Sequence, residues 1–210
     1  MHEIMQGVDD ETIDIQWEVT ENQTTSSYGS GNGPRPEERP AHLRKGGQTV
    51  EGKAVRDSQI TMIVAMNPED ANPVGNVHGG VVMKYVDTAA GVVAIRHARR
   101  IAVTASIDRL DFHYPVFIGN LLILKASMNL VGRTSMEVGV RVEAENPLTG
   151  EVRHTASAYL TFVALDEKGQ PTSVPPLICE TDEEKLRNRQ AQIRRQYRLA
   201  EREREKSCDV

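Results

Sequence analysis

The sequence predicts an α+β fold: an antiparallel sheet wraps around one long central helix, and a second helix lies on the surface near the C-terminus. The first observation is that residues 81–95 are apolar on nearly every face, as expected of a helix enclosed by protein. The second is that four strand-like runs joined by short turns follow, and strands joined in this way form antiparallel sheets. We expect the domain to span 57–178, between a flexible N-terminal tail (1–56) and a basic C-terminal helix and tail (179–210).

The elements follow one another in a simple order. Residues 58–66 are typical of a first strand, which Asn67 and Pro68 end. The helix is predicted to end near residue 99, and the later strands are predicted at 101–112, 120–131, 135–145 and 152–165. Thr181, with Glu184 three residues later, forms a capping-box pattern that starts the C-terminal helix. A single helix leaves part of such a sheet uncovered, so we expect pairing with a second copy.

Composition limits the function classes. The net charge of -5 over 210 residues argues against a generic nucleic-acid binder. Cys179 and Cys208 lack metal-ligand spacing and indicate reduced, intracellular thiols. Lys84 and Asp87 interrupt the apolar helix, which argues against a membrane span. Because residues 1–14 contain no apolar signal-peptide core, we expect a cytoplasmic protein that does not associate with membranes.

The loop before the central helix and the helix itself carry motifs of a known family. Asp70-Ala-Asn-Pro-Val-Gly-Asn-Val-His-Gly-Gly80, followed by Met83-Lys-Tyr-Val-Asp87 and Arg96-His97, resembles the acyl-CoA thioesterases of the hotdog superfamily, especially the brain-type hydrolases and their bacterial short-chain relatives. The family's later strands are matched in the same order at 103–108, 134–138 and 156–163. The resemblance implies a hotdog fold and the hydrolysis of acyl-CoA to a free fatty acid and CoA.

The resemblance also implies self-association. The animal enzymes carry two such domains in tandem, whereas this chain shows one, so the other half of the site would come from a second protomer. We therefore expect a dimer, arranged as a trimer of dimers (a hexamer) as in the family. Acyl-CoA is the expected partner, and no nucleic acid or membrane is.

Three residues are candidates for catalysis. Asp87 lies inside an apolar helix, where a carboxylate costs several kcal/mol unless it is paired or functional; it is the candidate general base, and pairing with Lys84 is the structural alternative. Asn72 matches the family's loop amide, which serves the aspartate of the opposite subunit; its alternative is an Asx-turn before Pro73. Gly79 opens the helix, where a free N–H and the helix dipole would bind the oxyanion.

The coenzyme A part of the substrate has a second set of candidates, implied by the resemblance. They are His78, Gly80, Ala105, Ser106, Ile107, Arg133, Thr134, Ser135, Met136, Arg194 and Arg195. Arginine suits bidentate phosphate contact, and a solvated helix face is the alternative for Arg194 and Arg195. The sequence shows neither a metal-ligand cluster nor a Gly-x-Ser-x-Gly elbow, so no cofactor is expected and coenzyme A is part of the substrate.

Two other functions stay open. A hotdog enoyl-CoA hydratase needs a histidine and a carboxylate at one carbon, but His78 and Asp87 are half a turn out of phase on one helix. A non-catalytic acyl-CoA sensor would bind its ligand without cleaving it and use the two ends of the chain as interaction arms. Release of free CoA distinguishes a hydrolase from such a sensor.

Overall fold

The computed structural model describes residues 51–208, so the tail predicted for residues 1–56 lies mostly outside the described part. The elements in chain order are β1 (Lys53–Ala54), β2 (Ile60–Ala65), α1 (Gly79–Ala98), β3 (Ile101–Phe112), β4 (Leu121–Val131), β5 (Ser135–Glu145), β6 (Val152–Leu165), β7 (Leu177–Ile178) and α2 (Asp182–Cys208). The predicted long strands and the central helix are confirmed to within two residues. The short strands β1 and β7 were not predicted.

One antiparallel sheet of five strands forms the body of the domain. Its order is β2-β4-β5-β6-β3, so β2 and β3 lie at its two edges. Alternate residues of the inner strands are apolar and buried on the side that faces α1, as Met136 and Val138 of β5 illustrate. The predicted fold, an antiparallel sheet around one long helix, is confirmed.

Strand β3 is irregular where it runs past α1. Its pairing with β6 shifts between Thr104 and Ser106 and again between Ile107 and Arg109. Ala105 and Asp108 are therefore extra residues with no partner opposite them on β6. Such bulges bend a strand and redirect its side chains, and they are frequent next to active sites.

Helix α1 is only partly enclosed. Its buried residues are Val82, Val86, Ala89, Ala90, Val93, Ala94, His97 and Ala98, which pack on the sheet. On the other side Met83 and Ile95 are 41% and 47% exposed. Within one chain the helix is not enclosed on all sides, because one five-stranded sheet covers only one side of a helix. The uncovered side keeps apolar residues, as expected of a surface that pairs with another chain.

A short strap closes the C-terminal end of α1. Strands β1 and β7 pair in parallel, and Lys53 Nζ donates hydrogen bonds to the carbonyl oxygens of Arg96 (3.1 Å) and His97 (2.8 Å). These bonds satisfy carbonyls that the helix end leaves without partners. The ordered fold therefore begins before residue 57, the predicted boundary. The His97 side chain is fully buried beneath the strap, and its Nε2 lies 2.9 Å from the Pro175 carbonyl oxygen.

Helix α2 lies on the outer face of the sheet. It begins with the predicted capping box: Glu184 N donates to Thr181 Oγ1 (3.2 Å), and Glu184 Oε2 accepts from Thr181 N (3.1 Å). Ala191 is fully buried against the sheet, and Asn188 Nδ2 donates to the Asn129 carbonyl oxygen at 2.7 Å. In the part of the chain that the structure describes, neither helix is long and apolar enough to cross a membrane.

Candidate functional site

The Asp87 carboxylate faces strand β3. It is half-buried on the middle of α1, and Thr104 Oγ1 donates a hydrogen bond of 2.6 Å to its Oδ1. Among residues 51–208, no hydrogen bond occupies Asp87 Oδ2, and Lys84 lies instead over the Tyr85 ring. The partner of the carboxylate is therefore a hydroxyl rather than a cation. A carboxylate with one oxygen held and the other open can accept a proton from water.

Asn72 forms the turn that the sequence allowed and still keeps its amide donors. Its Oδ1 accepts hydrogen bonds from Val74 N (2.9 Å) and Asn76 N (3.2 Å), which is an Asx-turn. The backbone N–H of Asn72 donates to the Asn76 carbonyl oxygen at 2.7 Å. The hydrogen bonds described for the side chain use only Oδ1, so both N–H donors of its NH2 group can still bind a ligand. The Asx-turn therefore fixes the position of the amide and is compatible with a catalytic role for Asn72.

The two glycines at the start of α1 differ in whether their backbone N–H groups are already hydrogen-bonded. His78 is the N-cap, and its Nδ1 accepts a hydrogen bond of 2.9 Å from Gly80 N. Gly80 N–H is therefore not available to a substrate, and His78 has a structural role here. In the described chain no hydrogen bond occupies Gly79 N–H. Of the two glycines, only Gly79 offers a donor for an oxyanion.

A cavity of about 340 Å³ opens beside this helix start. Asn72 and Gly79 line it together with Phe112, Tyr114 and Val116. Asp87 does not line this cavity. One protomer therefore brings Asn72 and Gly79 together, and holds Asp87 with Thr104 in a separate place.

The candidate coenzyme residues are spread over β3 and the turn between β4 and β5. Ala105 is the first bulge residue of β3, Ser106 Oγ donates to Asp108 Oδ1 at 3.2 Å, and Ile107 is exposed. In the turn, the Arg195 guanidinium lies near Gly132 and Ser135: a Cβ built on Gly132 would be 3.4 Å from Arg195 Nη1 and 3.0 Å from Ser135 Oγ. The structure thus places one predicted arginine of α2 beside the predicted turn.

Other predicted coenzyme residues are occupied elsewhere. The Met136 side chain is in the core, and Thr134 is buried with its carbonyl oxygen accepting from Ala164 N at 3.0 Å. Arg194 forms an ion pair with buried Glu137 (2.6 Å) and stacks on the Tyr159 ring at 3.7 Å. Arg194 is therefore a structural residue in this protomer, because a buried carboxylate needs its charge.

Thr104 is a candidate site residue that was not predicted from the sequence. It lies in a run of alternating residues, and nothing in that pattern shows which side chain its hydroxyl meets. The signal available was its place on β3, the strand next to the helix that carries Asp87. As for metals, residues 51–208 contain no group of three or more His, Cys, Asp or Glu side chains arranged to hold an ion.

Comparison with known proteins gives consistent relatives. The family model of the thioesterase superfamily matches residues 74–151. An uncharacterized acyl-CoA thioester hydrolase of Bacillus subtilis is 39% identical over 137 residues, which cover 65% of this chain and 80% of that protein. The cytosolic acyl coenzyme A thioester hydrolase of Rattus norvegicus is 38% identical over 139 residues, and the match spans only 36% of its length.

Solved structures extend the likeness to the fold. A hexameric acyl-CoA thioesterase in its apo form superposes with a TM-score of 0.70 at 39% identity, over 72% of this chain and 97% of that one. An acyl-CoA hydrolase of Staphylococcus aureus, solved with butyryl coenzyme A and coenzyme A, gives a TM-score of 0.69 at 34% identity, over 74% and 95% of the two chains.

Three variants of the Staphylococcus aureus hydrolase were also solved, with alanine in place of an asparagine, an aspartate and a threonine. In that enzyme the asparagine precedes the aspartate by fifteen positions, and the threonine follows it by seventeen. Asn72, Asp87 and Thr104 have the same two spacings (87 − 72 and 104 − 87). With this motif spacing, the matched fold and coverage of most of its bacterial relative, the chain belongs to the acyl-CoA thioester hydrolase family of the hotdog thioesterases.

Proposed function

We propose that this chain hydrolyses acyl-CoA thioesters with a water molecule that Asp87 activates, at a site shared between two copies. The observation that carries the mechanism is the hydrogen bond between Thr104 Oγ1 and Asp87 Oδ1, at 2.6 Å. It fixes one oxygen of the carboxylate and leaves the other to take a proton from water. The identical spacing of Asn72, Asp87 and Thr104 to the residues replaced in the Staphylococcus aureus hydrolase supports the same assignment.

The reaction follows from the groups at hand. Water attacks the thioester carbonyl carbon while Asp87 takes its proton, and the C–S bond then breaks as the protonated Asp87 returns that proton to the leaving sulfur, which releases the coenzyme thiol and the fatty acid. Gly79 N–H, at the positive end of α1, donates to the oxygen on which negative charge develops. The Asn72 amide, held by its turn, aligns the water or the thioester with its NH2 group. In this proposal no metal or organic cofactor takes part, and coenzyme A belongs to the substrate.

The second copy is needed because the catalytic groups lie apart within one protomer. Strand β3 is an open edge of the sheet, with Ile101 67% exposed on it, and the exposed side of α1 carries the apolar residues Met83 and Ile95. Pairing two copies along β3 would cover both surfaces and give each Asp87 a neighbour's Asn72. A trimer of such dimers extends the proposal, since the apo relative is a hexamer.

Coenzyme A is expected to contact Ala105–Ile107 and the turn at Ser135, where Arg195 supplies charge for a phosphate. The basis is the position of the Arg195 guanidinium beside that turn. We also propose a cytoplasmic location, since the rat relative is named as cytosolic.

The test is hydrolysis of a panel of acyl-CoAs of increasing chain length by the purified protein, with released CoA measured by a thiol reagent. A blank without substrate subtracts the reaction of Cys179 and Cys208. Asp87→Ala is the matched control and should bind substrate without releasing CoA. Tight binding by the wild-type protein with no CoA release at any chain length would make it a sensor and overturn the proposal.

A further inference from the structure

A buried ion-pair network lies between α2 and the outer face of the sheet. The Glu137 side chain on β5 is 1% exposed, and it accepts hydrogen bonds from Arg194 Nη2 (2.6 Å) and Arg198 Nη1 (3.2 Å). Arg198 Nη1 also donates to Asp108 Oδ2, and the Asp108 side chain is 11% exposed. Burial raises the pKa of the Asp108 carboxyl, and the nearby Arg198 guanidinium opposes that effect. The buried Glu137 and the partly buried Asp108 therefore both depend on the arginines of α2.

The network reaches the irregular part of β3. Asp108 is the second bulge residue of that strand, and its Oδ1 accepts the hydrogen bond from Ser106 Oγ at 3.2 Å. Thr104, whose hydroxyl meets Asp87, directly precedes the first bulge residue. Two bulges within five residues interrupt the ladder that would otherwise hold this segment in register. The ladder still pairs Thr104, Ser106 and Ile107 with β6 but neither bulge residue, so a contact that holds Asp108 fixes a part of the segment that the ladder does not.

Strand β6, which lies between β3 and β5, does not supply such a contact through its side chain. Glu137 pairs with Thr161 across the sheet, and Thr161 pairs with Ser106. Among the described residues, Thr161 Oγ1 has no hydrogen-bond partner although it is buried. Arg198 instead donates hydrogen bonds to both Asp108 on β3 and Glu137 on β5.

We propose that Arg198 is a positioning residue that fixes the bulged segment of β3 (residues 104–108) by holding Asp108 to α2. Through that segment it aligns the Thr104 hydroxyl with the Asp87 carboxylate on the opposite side of the sheet. On this proposal helix α2 contributes to catalysis, because it positions a segment of the active site. The inference rests on the proposed function, because its effect is measured on the hydrolysis step.

The docking of α2 does not depend on Arg198 alone. Arg194 keeps its contacts with Glu137 and Tyr159, and Asn188 and Ala191 hold the helix further along. Loss of Arg198 should therefore free the β3 segment while the helix stays in place. This separates a positioning role from a general loss of structure.

The first experiment compares Arg198→Met with Arg187→Met, an arginine of the same helix whose ion pair is with exposed Glu183. We expect Arg198→Met to lower kcat about tenfold or more, because small misplacement of catalytic groups is costly. Hydrogen exchange of the peptide covering residues 104–108 should become faster in that variant only. Arg198→Lys, which keeps the charge without the fork, should restore part of kcat.

The second experiment separates positioning from stability. The double variant Arg198→Met with Asp108→Asn replaces the carboxylate that would lose its ion pair by a neutral amide. Its thermal stability should therefore recover toward wild type while kcat stays low. If kcat recovers together with stability, or if Arg198→Met and Arg187→Met have the same kcat and exchange, the inference is wrong. Wild-type protein that releases no CoA would instead refute the proposed function, since the inference is judged on an active enzyme.

Discussion

Thr104→Val tests the contact on which the proposed mechanism depends. The substitution removes one hydroxyl and keeps a β-branched side chain of similar shape in strand β3, so the fold should be unaffected. The lost interaction is a hydrogen bond of 2.6 Å to the Asp87 carboxylate. Hydrogen bonds to charged groups contribute about 1.5–3 kcal/mol, which corresponds to about a 10- to 150-fold loss in kcat if the bond acts fully in the transition state.

The assay is steady-state release of CoA, with kcat and KM determined separately and the melting temperature measured in parallel. Thr161→Val is the matched control: it makes the same change on strand β6, where the buried hydroxyl has no partner among the described residues. We expect the control to keep wild-type kcat and to be as stable or more stable, since it removes an unsatisfied polar group. A Thr104→Val protein with wild-type kcat and an unchanged melting temperature would refute the role of this hydrogen bond.

Three further predictions concern coenzyme binding, packing and pH. Arg195→Met should raise KM for acyl-CoA about tenfold with kcat little changed, because it removes a contact that the substrate and the transition state share. Equal KM values for Arg195→Met and Arg187→Met would exclude a contact between Arg195 and the coenzyme. Gly139→Ala should lower the free energy of unfolding, measured in urea, by about 1–3 kcal/mol. The reason is that its Cβ would lie 2.6 Å from Asn129 Nδ2. The control is Gly79→Ala, whose Cβ would have its nearest tertiary neighbour at 3.7 Å and which should fold normally. Burial lowers the pKa of His97 below 6.5, so at mildly acidic pH the unfolded chain binds more protons than the folded protein. The free energy of unfolding should therefore fall as the pH drops from 6.5 toward that lower pKa. His97→Gln should flatten this pH dependence, and an equal slope in both proteins would contradict the prediction.

The parts of the fold that local patterns determine could be predicted from the sequence. Alternation of apolar residues marked the strands, and the capping box at Thr181 and Glu184 marked the start of α2. The exposed side of α1 could not be predicted, because hydrophobicity shows that a helix avoids water without showing which surface covers it. The residues Met83 and Ile95 are apolar like their buried neighbours.

Candidate site residues could be named from the sequence where they lie in one motif, whereas contacts between distant elements could not be predicted. Asp87, Asn72 and Gly79 lie in one continuous stretch, and among residues 51–208 each has an acceptor or donor without a hydrogen-bond partner. The Thr104 hydroxyl contacts Asp87 on helix α1, and strand alternation does not show such a contact. Arg194 was expected at a phosphate but pairs with Glu137. That carboxylate occupies an outward position in β5, which becomes buried only because α2 lies over it.

The central claim is that each site combines Asn72 of one copy with Asp87 of another, and mixed oligomers test it most directly. Asn72→Ala and Asp87→Ala proteins, each inactive alone, are dissociated, mixed in equal amounts and reassociated. Half of the random dimers then contain one intact site and one doubly altered site, so the account predicts about a quarter of wild-type turnover. A mixture that exchanges subunits and stays as inactive as its components would contradict the claim, because the two residues would then serve the same protomer.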